Sequence, residues 1–563
     1  MTFIITNGQG GFSYIGEKPQ SRYEGTFFYQ NGKMHKTLAN IHFHEPEEES
    51  TNSLWGIERK RNDNEEMLFM PDGHNALILE LSNPAEFLVQ MDCKEINDNR
   101  EWGREYTIKT KDKTIIICYE KKNDSREEEG EKYKIYTAIT GEMHMMPLER
   151  WDPLSYGFDR HRRSPPYQRW IYSACKLRGQ KFSFGFGMTE EEAILQSKQA
   201  YKNSEQLRES KEKHVESIIV ERKNYSPATI AYNCCLASLN SLLVEQEWLI
   251  AGLPWFYQRW KRDEIISSKA LMRISPALRK NILLYYLHSN GWEANEETGL
   301  VSVDAPLWLF FRMQELIPTL SNSEKSLVLK HLTSYLDYLK LENGLLHNLS
   351  KETWMDTTFE DKDGREGARI EIQCLLLSAC KTYSLLSGKQ HHLEEEIKSA
   401  VLKNFWNSKY LKDGADDDTI RPNVFIACYV YPELLSKEEW TICFKNCLKE
   451  LWLEWGGLSS ISQKHPLFTA EYTGETNQSY HRGDSWYWIN NLAAIAMHKI
   501  NPKEFKEKIN AIIESSSRDI LELGASGHHS ELSSAKEQTA DGCQAQAWSA
   551  AMFIELIDEI EKD

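Results

Sequence analysis

The spacing of apolar residues changes period once along the chain, near residue 225, and no other feature restricts the fold as strongly. Before that point MLFM, ALILEL, EFLVQM, YTIKT, TIIICYE, YKIYTAI, RWIYSACKL and KFSFGFG are short β-branched or aromatic runs separated by Gly, Pro, Asn and Asp. Runs of this length between turn residues predict antiparallel strands in a sandwich. After it, segments such as PATIAYNCCLASLNSLLVEQ, SVDAPLWLFFRMQEL, IEIQCLLLSACKTYSLL and CQAQAWSAAMFIELIDEI carry helical periodicity. The expected fold class is therefore β followed by α: an N-terminal β-sandwich over residues 1–190, a charged helical linker facing solvent over 191–224, and a helical domain over 225–563. Eleven or twelve helices fit in the last segment. An open α-solenoid would show self-similarity every 34 to 45 residues or so, and none is found. Twelve helices close instead as six hairpins around an axis, an (α/α)6 toroid. Such a ring leaves a funnel at one end where loops converge on a concave pocket.

Charge and cysteine usage narrow the partners. The chain has 67 Lys and Arg against 84 Asp and Glu, a net −17. That field repels phosphate backbones and anionic lipid, which excludes nucleic acid and membrane surfaces as partners and favours neutral ones. The eleven Cys show no CxxC pair, so neither a zinc site nor a disulfide framework is expected. The N-terminus lacks a basic segment followed by a long apolar one, and no apolar run approaches the roughly 20 residues that cross a bilayer. The expectation is a cytoplasmic protein without cofactor or metal. Of 17 Trp, 13 lie at or after Trp248, in the helical half. Flat apolar faces with a polar tip serve sugar rings as well as cores.

Long polar loops between the helices carry acids and aromatics together. AGLPWFYQRWKRDE holds Trp255, Arg262 and Asp263, a donor fork beside an acceptor suited to sugar hydroxyls, although Asp263 also reads as a helix N-cap. The loop over residues 344–373 places Trp354 two residues before Asp356 and returns through Arg369 and Glu371. A carboxyl beside apolar Trp354 and Met355 is expected to be desolvated, which favours its protonated form and suits a general acid. A turn carboxylate is the alternative. The loop over residues 525–549 carries Glu531 among Ser, His and Gly, where hydroxyl and water partners are expected to keep it ionised, as a general base requires. A solvated loop carboxylate, or a metal site with His528 and His529, are the other readings, the latter without helical HExxH spacing. DGADDDTIRPN and YHRGDSWYWINN, the second with His481 and Trp486, complete the set.

AGLPWFYQRWKRDE, SVDAPLW, TWMD, IEIQ, DDTIRPN, YHRGDSWYW, SEL and GCQAQAWS occur in the order and at about the spacing found in the amylo-α-1,6-glucosidase domain of glycogen debranching enzymes, and the chain resembles that family along nearly its whole length. TNGQGGFSY and SRYEGTFF resemble the start of its stand-alone prokaryotic and archaeal members. The resemblance implies an inverting glycosidase on a glucoamylase-like (α/α)6 barrel, with Asp356 as general acid and Glu531 as general base. It further implies that Arg262, Asp263 and Asp304 hold the terminal glucose, that Trp255, Trp308, Trp354, His481, Trp486 and Trp548 line the pocket, and that Arg369 and Glu371 bind there or position the acid loop. The expected substrate is glycogen or a branched α-glucan oligosaccharide, cleaved chiefly at the α-1,6-linked glucose of a limit dextrin. A glucoamylase- or trehalase-type action on α-1,4 or α,α-1,1 bonds is the runner-up, and a catalytically silent glycan-binding protein the reading from another class. A homo-oligomer is compatible with either. The β and helical segments leave no room for the glucanotransferase half of the larger debranching enzymes. Asp484 and Tyr487 depart from the family's usual residues in YHRGDSWYW, which bears on subsite shape and hence on linkage. Trp406, Trp440 and Trp452 are expected to be packing residues.

Overall fold

The computed structural model describes residues 1–122, 132–221, 225–289, 302–361 and 363–562. Up to residue 187 the chain forms one antiparallel sheet of twelve strands wrapped into a sandwich: β1 (Phe3–Thr6), β2 (Phe12–Ile15), β3 (Gly25–Gln30), β4 (Lys33–Phe43), β5 (Glu49–Asn52), β6 (Ile57–Arg61), β7 (Asn64–Phe69), β8 (Ala76–Glu95), β9 (Arg104–Lys111), β10 (Thr114–Lys121), β11 (Tyr133–Ser155) and β12 (Gln168–Gly187). The order is β1-β2-β3-β4-β8-β12-β11-β10-β9, with β5-β6-β7 attached to the first half of β8. Ile78–Leu81 of β8 pair with β7, whereas Phe87–Glu95 pair with β4, so this strand passes from one layer to the other. At the crossing, residues 81–84 bulge opposite the single Gln180. ALILEL and EFLVQM, two runs in the sequence, are thus halves of one strand. Asn83-Pro84 looks like a terminator but sits in the bulge, where the missing N–H of Pro breaks no ladder bond. RWIYSACKL and KFSFGFG merge into β12 in the same way. β11 continues through GEMHMMPLERWDPLS by two register shifts, a stretch whose lack of alternation hides it. Phe28, Leu79, Val89, Ile117 and Phe184 lie in the sandwich core.

A short helix α1 (Gly157–His161) separates β11 from β12. The expected solvent-facing linker differs from the structure. Its first helix, α2 (Glu190–Lys202), opens on a Thr189/Glu192 capping box and packs against β12 and β11. A Cβ on Gly185 would stand 2.2 Å from the Ser197 nitrogen, so α2 is pressed onto the sheet and only its outer face carries the charges. In α3 (Ser204–Ile218), Lys211 donates to the carbonyls of Thr6 and Met70 at 2.5 and 2.8 Å. Residues 222–224 of the expected linker lie outside the described residues.

Twelve α-helices follow among the described residues: α4 (Pro227–Ser241), α5 (Lys261–Ser267), α6 (Pro276–His288), α7 (Asp304–Leu316), α8 (Asn322–Tyr338), α9 (Ile370–Ser387), α10 (Leu393–Phe405), α11 (Asn423–Val430), α12 (Lys437–Leu451), α13 (Tyr487–Ile500), α14 (Lys506–Arg518) and α15 (Ala547–Ile560). Helices α5, α7, α9, α11, α13 and α15 each pack on the next, and α15 packs back on α5, which closes an inner ring. The alternate helices α4, α6, α8, α10, α12 and α14 pack around it. Inner helices such as α13 and α15 are buried almost all round, as a helix with neighbours on every side must be. Outer helices α8 and α12 carry capping boxes, Ser321/Glu324 and Ser436/Glu439, and charged outer faces. Trp440 is buried and donates to the Pro432 carbonyl at 2.8 Å, while Trp406 and Trp452 pack against the same core. Among the described residues no helix is long and apolar enough to cross a membrane, and all eleven cysteines are unpaired.

Candidate active site

All six inner helices begin at one end of the ring, and the candidate residues sit there. Arg262 and Asp263 occupy the first turn of α5 and Asp304 opens α7. Glu371 lies in the first turn of α9, Asn423 opens α11, Trp486 precedes α13, and Trp548 is second in α15. Short strands clip the entering loops together: β13 (Leu243–Val244) with β14 (Trp248–Leu249), β15 (Gly252–Leu253) with β18 (Ala545–Gln546), and β16 (Ser485–Trp486) with β17 (Leu532–Ser533). The last two pairs join loops far apart in sequence, so Glu531 is carried on a loop pinned to its neighbours on both sides.

An aromatic box forms the inner wall. Trp354 stands edge-on to Trp486, Trp488 and His481, with ring centroids at 5.5, 5.0 and 5.4 Å. His481 stacks on Trp486 at 5.0 Å and Trp488 on Trp548 at 4.9 Å. Offset-stacked and edge-on pairs of this kind are the favoured aromatic geometries and stiffen the wall. The Trp354 indole donates to Asn423 Oδ1 at 2.8 Å and the Trp486 indole to the Tyr480 carbonyl at 2.7 Å. Several polar atoms here are buried and lack a partner among the described residues: Asp304 Oδ2, Gln546 Oε1, the Trp548 indole nitrogen and His481 Nδ1. Buried polar groups are normally paired, so this cluster is suited to a ligand rich in hydroxyls.

Asp356 faces two cationic or polarisable groups. Arg262 Nη1 lies 3.3 Å from Asp356 Oδ2, and His481 Nε2 lies 3.6 Å from Oδ1. The same guanidinium reaches Asp304 Oδ1 through Nε at 3.0 Å and the Thr353 carbonyl through Nη2 at 3.2 Å. Burial pushes Asp356 up, but His481 and Arg262 outweigh it and hold the carboxyl below its ordinary value. Glu531 is the opposite case. It is 2% exposed, accepts from Tyr480 OH at 2.5 Å and from the Cys543 backbone N–H at 2.7 Å, and burial still pushes it up to about 7. Gly542, in the left-handed region at φ 67°, packs so closely that a Cβ would lie 2.3 Å from Glu531 Oε2. Asp263, which accepts from Gln546 Nε2 at 3.1 Å, is likewise raised to about 7 by burial. Asp356 and Glu531 lie within each other's field, and both reach Asp263.

These environments reverse the expected ones. The sequence neighbours of Asp356 suggest an apolar carboxyl, but Trp354 and Met355 turn into the core while Asp356 stays 25% exposed beside Arg262. The Ser- and His-rich surroundings of Glu531 suggest solvent, yet the loop folds inward. His528 is held by Ser238 Oγ at 2.7 Å and the Ile4 carbonyl at 3.0 Å, and His529 by Asp519 at 2.6 Å. The two rings serve separate partners, and no group of three metal-ligating side chains occurs among the described residues.

Other expectations are also redistributed. Glu371 is filled by Arg365 at 2.7 and 3.0 Å, and the same Arg365 donates to Thr353 Oγ1 at 2.9 Å. Arg369 is taken up by Asp417 at 2.8 Å and the Glu366 carbonyl at 2.5 Å. These contacts tie both side chains to Arg365 and, through it, to Thr353 in the loop of Asp356. Trp308 is 1% exposed and packs on Phe311 and Tyr429 in the barrel interior. Trp255 is covered by the β domain, with the Arg162 guanidinium 3.7 Å over its ring and Tyr23 at 5.5 Å. Asp484 and Tyr487 are wholly buried, Asp484 accepting from Ser479 Oγ at 2.7 Å, so the departures in YHRGDSWYW lie beneath the box.

The sequence gives little warning of Tyr480, Gln546, Arg162 and Cys543. Arg162 caps the end of α1, in the DRHRR run. It pairs with Glu475 at 2.9 Å, and its charge counters the upward push on Glu531. Beside it, His161 Nε2 meets Asp541 at 2.8 Å, and Asp541 bridges to Leu532 next to Glu531. The only signal was a basic run next to Pro165-Pro166 in otherwise strand-like sequence.

A helical ring behind a β-sandwich, with acids at the ring's mouth, defines a glucoamylase-like fold. The structure is similar to that of a bacterial glucoamylase solved in complex with acarbose, at a TM-score of 0.63 and 11% identity, covering 99% of this chain and 94% of that chain. Residues 218–555 match the amylo-alpha-1,6-glucosidase family model, and the chain belongs to that family. No curated protein shows significant sequence similarity to it.

Proposed function

We propose that the protein hydrolyses terminal α-glucosidic bonds, chiefly the α-1,6 bond of a single-glucose branch on a glycogen-derived dextrin, with inversion. The observation that carries this reading is the pair Asp356 and Glu531, two carboxyls in one another's field beside an aromatic box and a set of unpaired buried polar atoms. Asp356 protonates the glycosidic oxygen as its bond to the anomeric carbon breaks. Glu531 takes the proton of a water that attacks the opposite face, and β-glucose leaves. Arg262, Asp304, Asp263 and Gln546 engage the hydroxyls of the terminal ring. The thiols and the charge fit a cytoplasmic glucan. Product analysis on a singly branched limit dextrin tests the reading: β-glucose is expected, and α-glucose or no glucose would overturn it.

In the free chain the shared proton rests on Glu531, at about 7, and not on Asp356. The working form carries the same number of protons with the proton moved to Asp356, which a glycosidic oxygen accepting from that carboxyl favours. The singly protonated pair exists below about pH 7 and is lost above it. kcat/KM is therefore expected to fall about tenfold per pH unit above about 7. A profile that instead climbs through 7 and stays flat on the alkaline side would contradict this distribution of the proton.

Arg162 is a positioning residue for Glu531. Arg162→Gln removes a positive charge, so Glu531 rises and the alkaline limb moves up by less than about one pH unit. A purely structural role would lower the rate without moving the limb.

The likeness to a glucoamylase favours α-1,4 action as the second reading. Rates on isomaltose-type, maltose-type and trehalose substrates separate the two.

A further inference from the structure

A cavity of about 420 Å³ lies between the β domain and the outer side of the helical ring, walled by β1, the β5–β6 turn, α3, α4, the β13–β14 turn and Gly527–His528. Its size falls within the range of small-molecule sites. Its chemistry is more selective than its size. Lys211, the one ammonium in its wall, spends its donors on Thr6 O, Met70 O and Asp72 Oδ1, the last at 2.6 Å. His214 is engaged with Asn240 at 3.3 Å, and Glu245 adds a carboxylate. An anionic ligand would find acids in the wall and an ammonium already committed. The remainder of the lining includes the amides of Gln9 and Gln246, the hydroxyl of Ser210, the indole of Trp55, and Ser241, whose hydroxyl donates to the Ser238 carbonyl at 2.7 Å and keeps its acceptor side. Donors that also accept, set around one flat apolar ring, match a ligand whose hydroxyls alternate with apolar C–H faces.

The backbone supports a built site. Leu54, Glu245 and Gln246 all line the cavity with φ at 67°, 52° and 56°. Left-handed backbone is uncommon for such residues, and strain of this kind is kept where the surroundings enforce it, often at ligand sites. We propose that this cavity is a second sugar site, holding one or two rings of a neutral saccharide. The proposal rests on the cavity alone and not on the reading of the funnel. It also has a path to the chemistry. The wall residue His528 is three positions from Glu531 and is clamped between Ser238 of α4 and Ile4 of β1. A sugar seated there bears on the two elements that hold the Glu531 loop.

Peptide-resolved hydrogen exchange of the full chain in millimolar glucose tests the proposal, with inorganic phosphate at equal ionic strength as the contrasting probe. Glucose is expected to slow exchange several-fold at residues 52–55, 210–214 and 241–246. Ser210→Trp, which plugs the mouth from an exposed position, should abolish that slowing while leaving any at residues 480–488 intact. Trp55→Ala should weaken it. The proposal is overturned if the cavity segments do not respond to glucose, if Ser210→Trp leaves their response unchanged, or if phosphate produces the same slowing. Failure of the funnel reading would appear in released glucose and leave this readout untouched.

Discussion

Glu531→Gln is expected to lower kcat on an α-1,6-glucosyl branch by roughly 10²–10⁴-fold, the usual contribution of a positioned general base. KM should change little, because an amide keeps the shape of the carboxylate against Gly542 and Tyr480. The same variant should be more stable than the parent above neutral pH. The folded-state value of about 7 lies above the ordinary 4.5. The folded chain thus holds this proton more tightly than the unfolded chain does, and stability present below pH 4.5 is lost as pH rises through 7. Between those limits the loss amounts to about 3 kcal/mol at most. Gln does not titrate, so its melting temperature at pH 8 should exceed the parent's. Loss of activity with a gain in alkaline stability is a signature that a merely damaged fold cannot give. A variant that keeps more than about a tenth of the parent rate would remove Glu531 from the mechanism.

Asp356→Asn is expected to cost a similar factor on glucosidic substrates, about 10²–10⁴-fold, but with a dependence on the leaving group that Glu531→Gln lacks. α-Glucosyl fluoride releases fluoride with little need of a proton, so Asp356→Asn should retain most of the parent rate on it. Glu531→Gln, which lacks the base for water, should fail on both substrates. This comparison decides the roles, because the raised Glu531 and lowered Asp356 of the free chain would, taken alone, assign them the other way round. The opposite pattern of fluoride turnover would exchange acid and base.

The two folding regimes and the loops bearing Asp356, Glu531, Arg262, Asp263 and Asp304 were legible in the sequence, because period and loop composition are local properties. What escaped depends on distant partners. Asp356 reads as apolar from Trp354 and Met355, but successive side chains leave the backbone in different directions, and its real neighbour is Arg262, on helix α5 of the ring. Glu531 reads as solvated because its loop is polar, yet polar residues such as His529 and Asp519 satisfy each other inside. Trp308 and Trp255 could not be sorted from Trp354 by spacing, since what covers them comes from Tyr429 and from Arg162. The two halves of β8 looked separate because a bulge and a chain turn use the same residues.

Closure of the ring has a consequence for how the molecule comes into being. Helix α15 packs between α13 and α5 and delivers Gln546 and Trp548 to the funnel. During translation α5 is made nearly 300 residues before α15, and until α15 emerges both α5 and α13 present an apolar flank with nothing beside it. Domains fold as units, so the ring and its site mature in a single late event. A nascent chain stalled before α15 therefore lacks Trp548 and leaves the facing flanks of α5 and α13 uncovered.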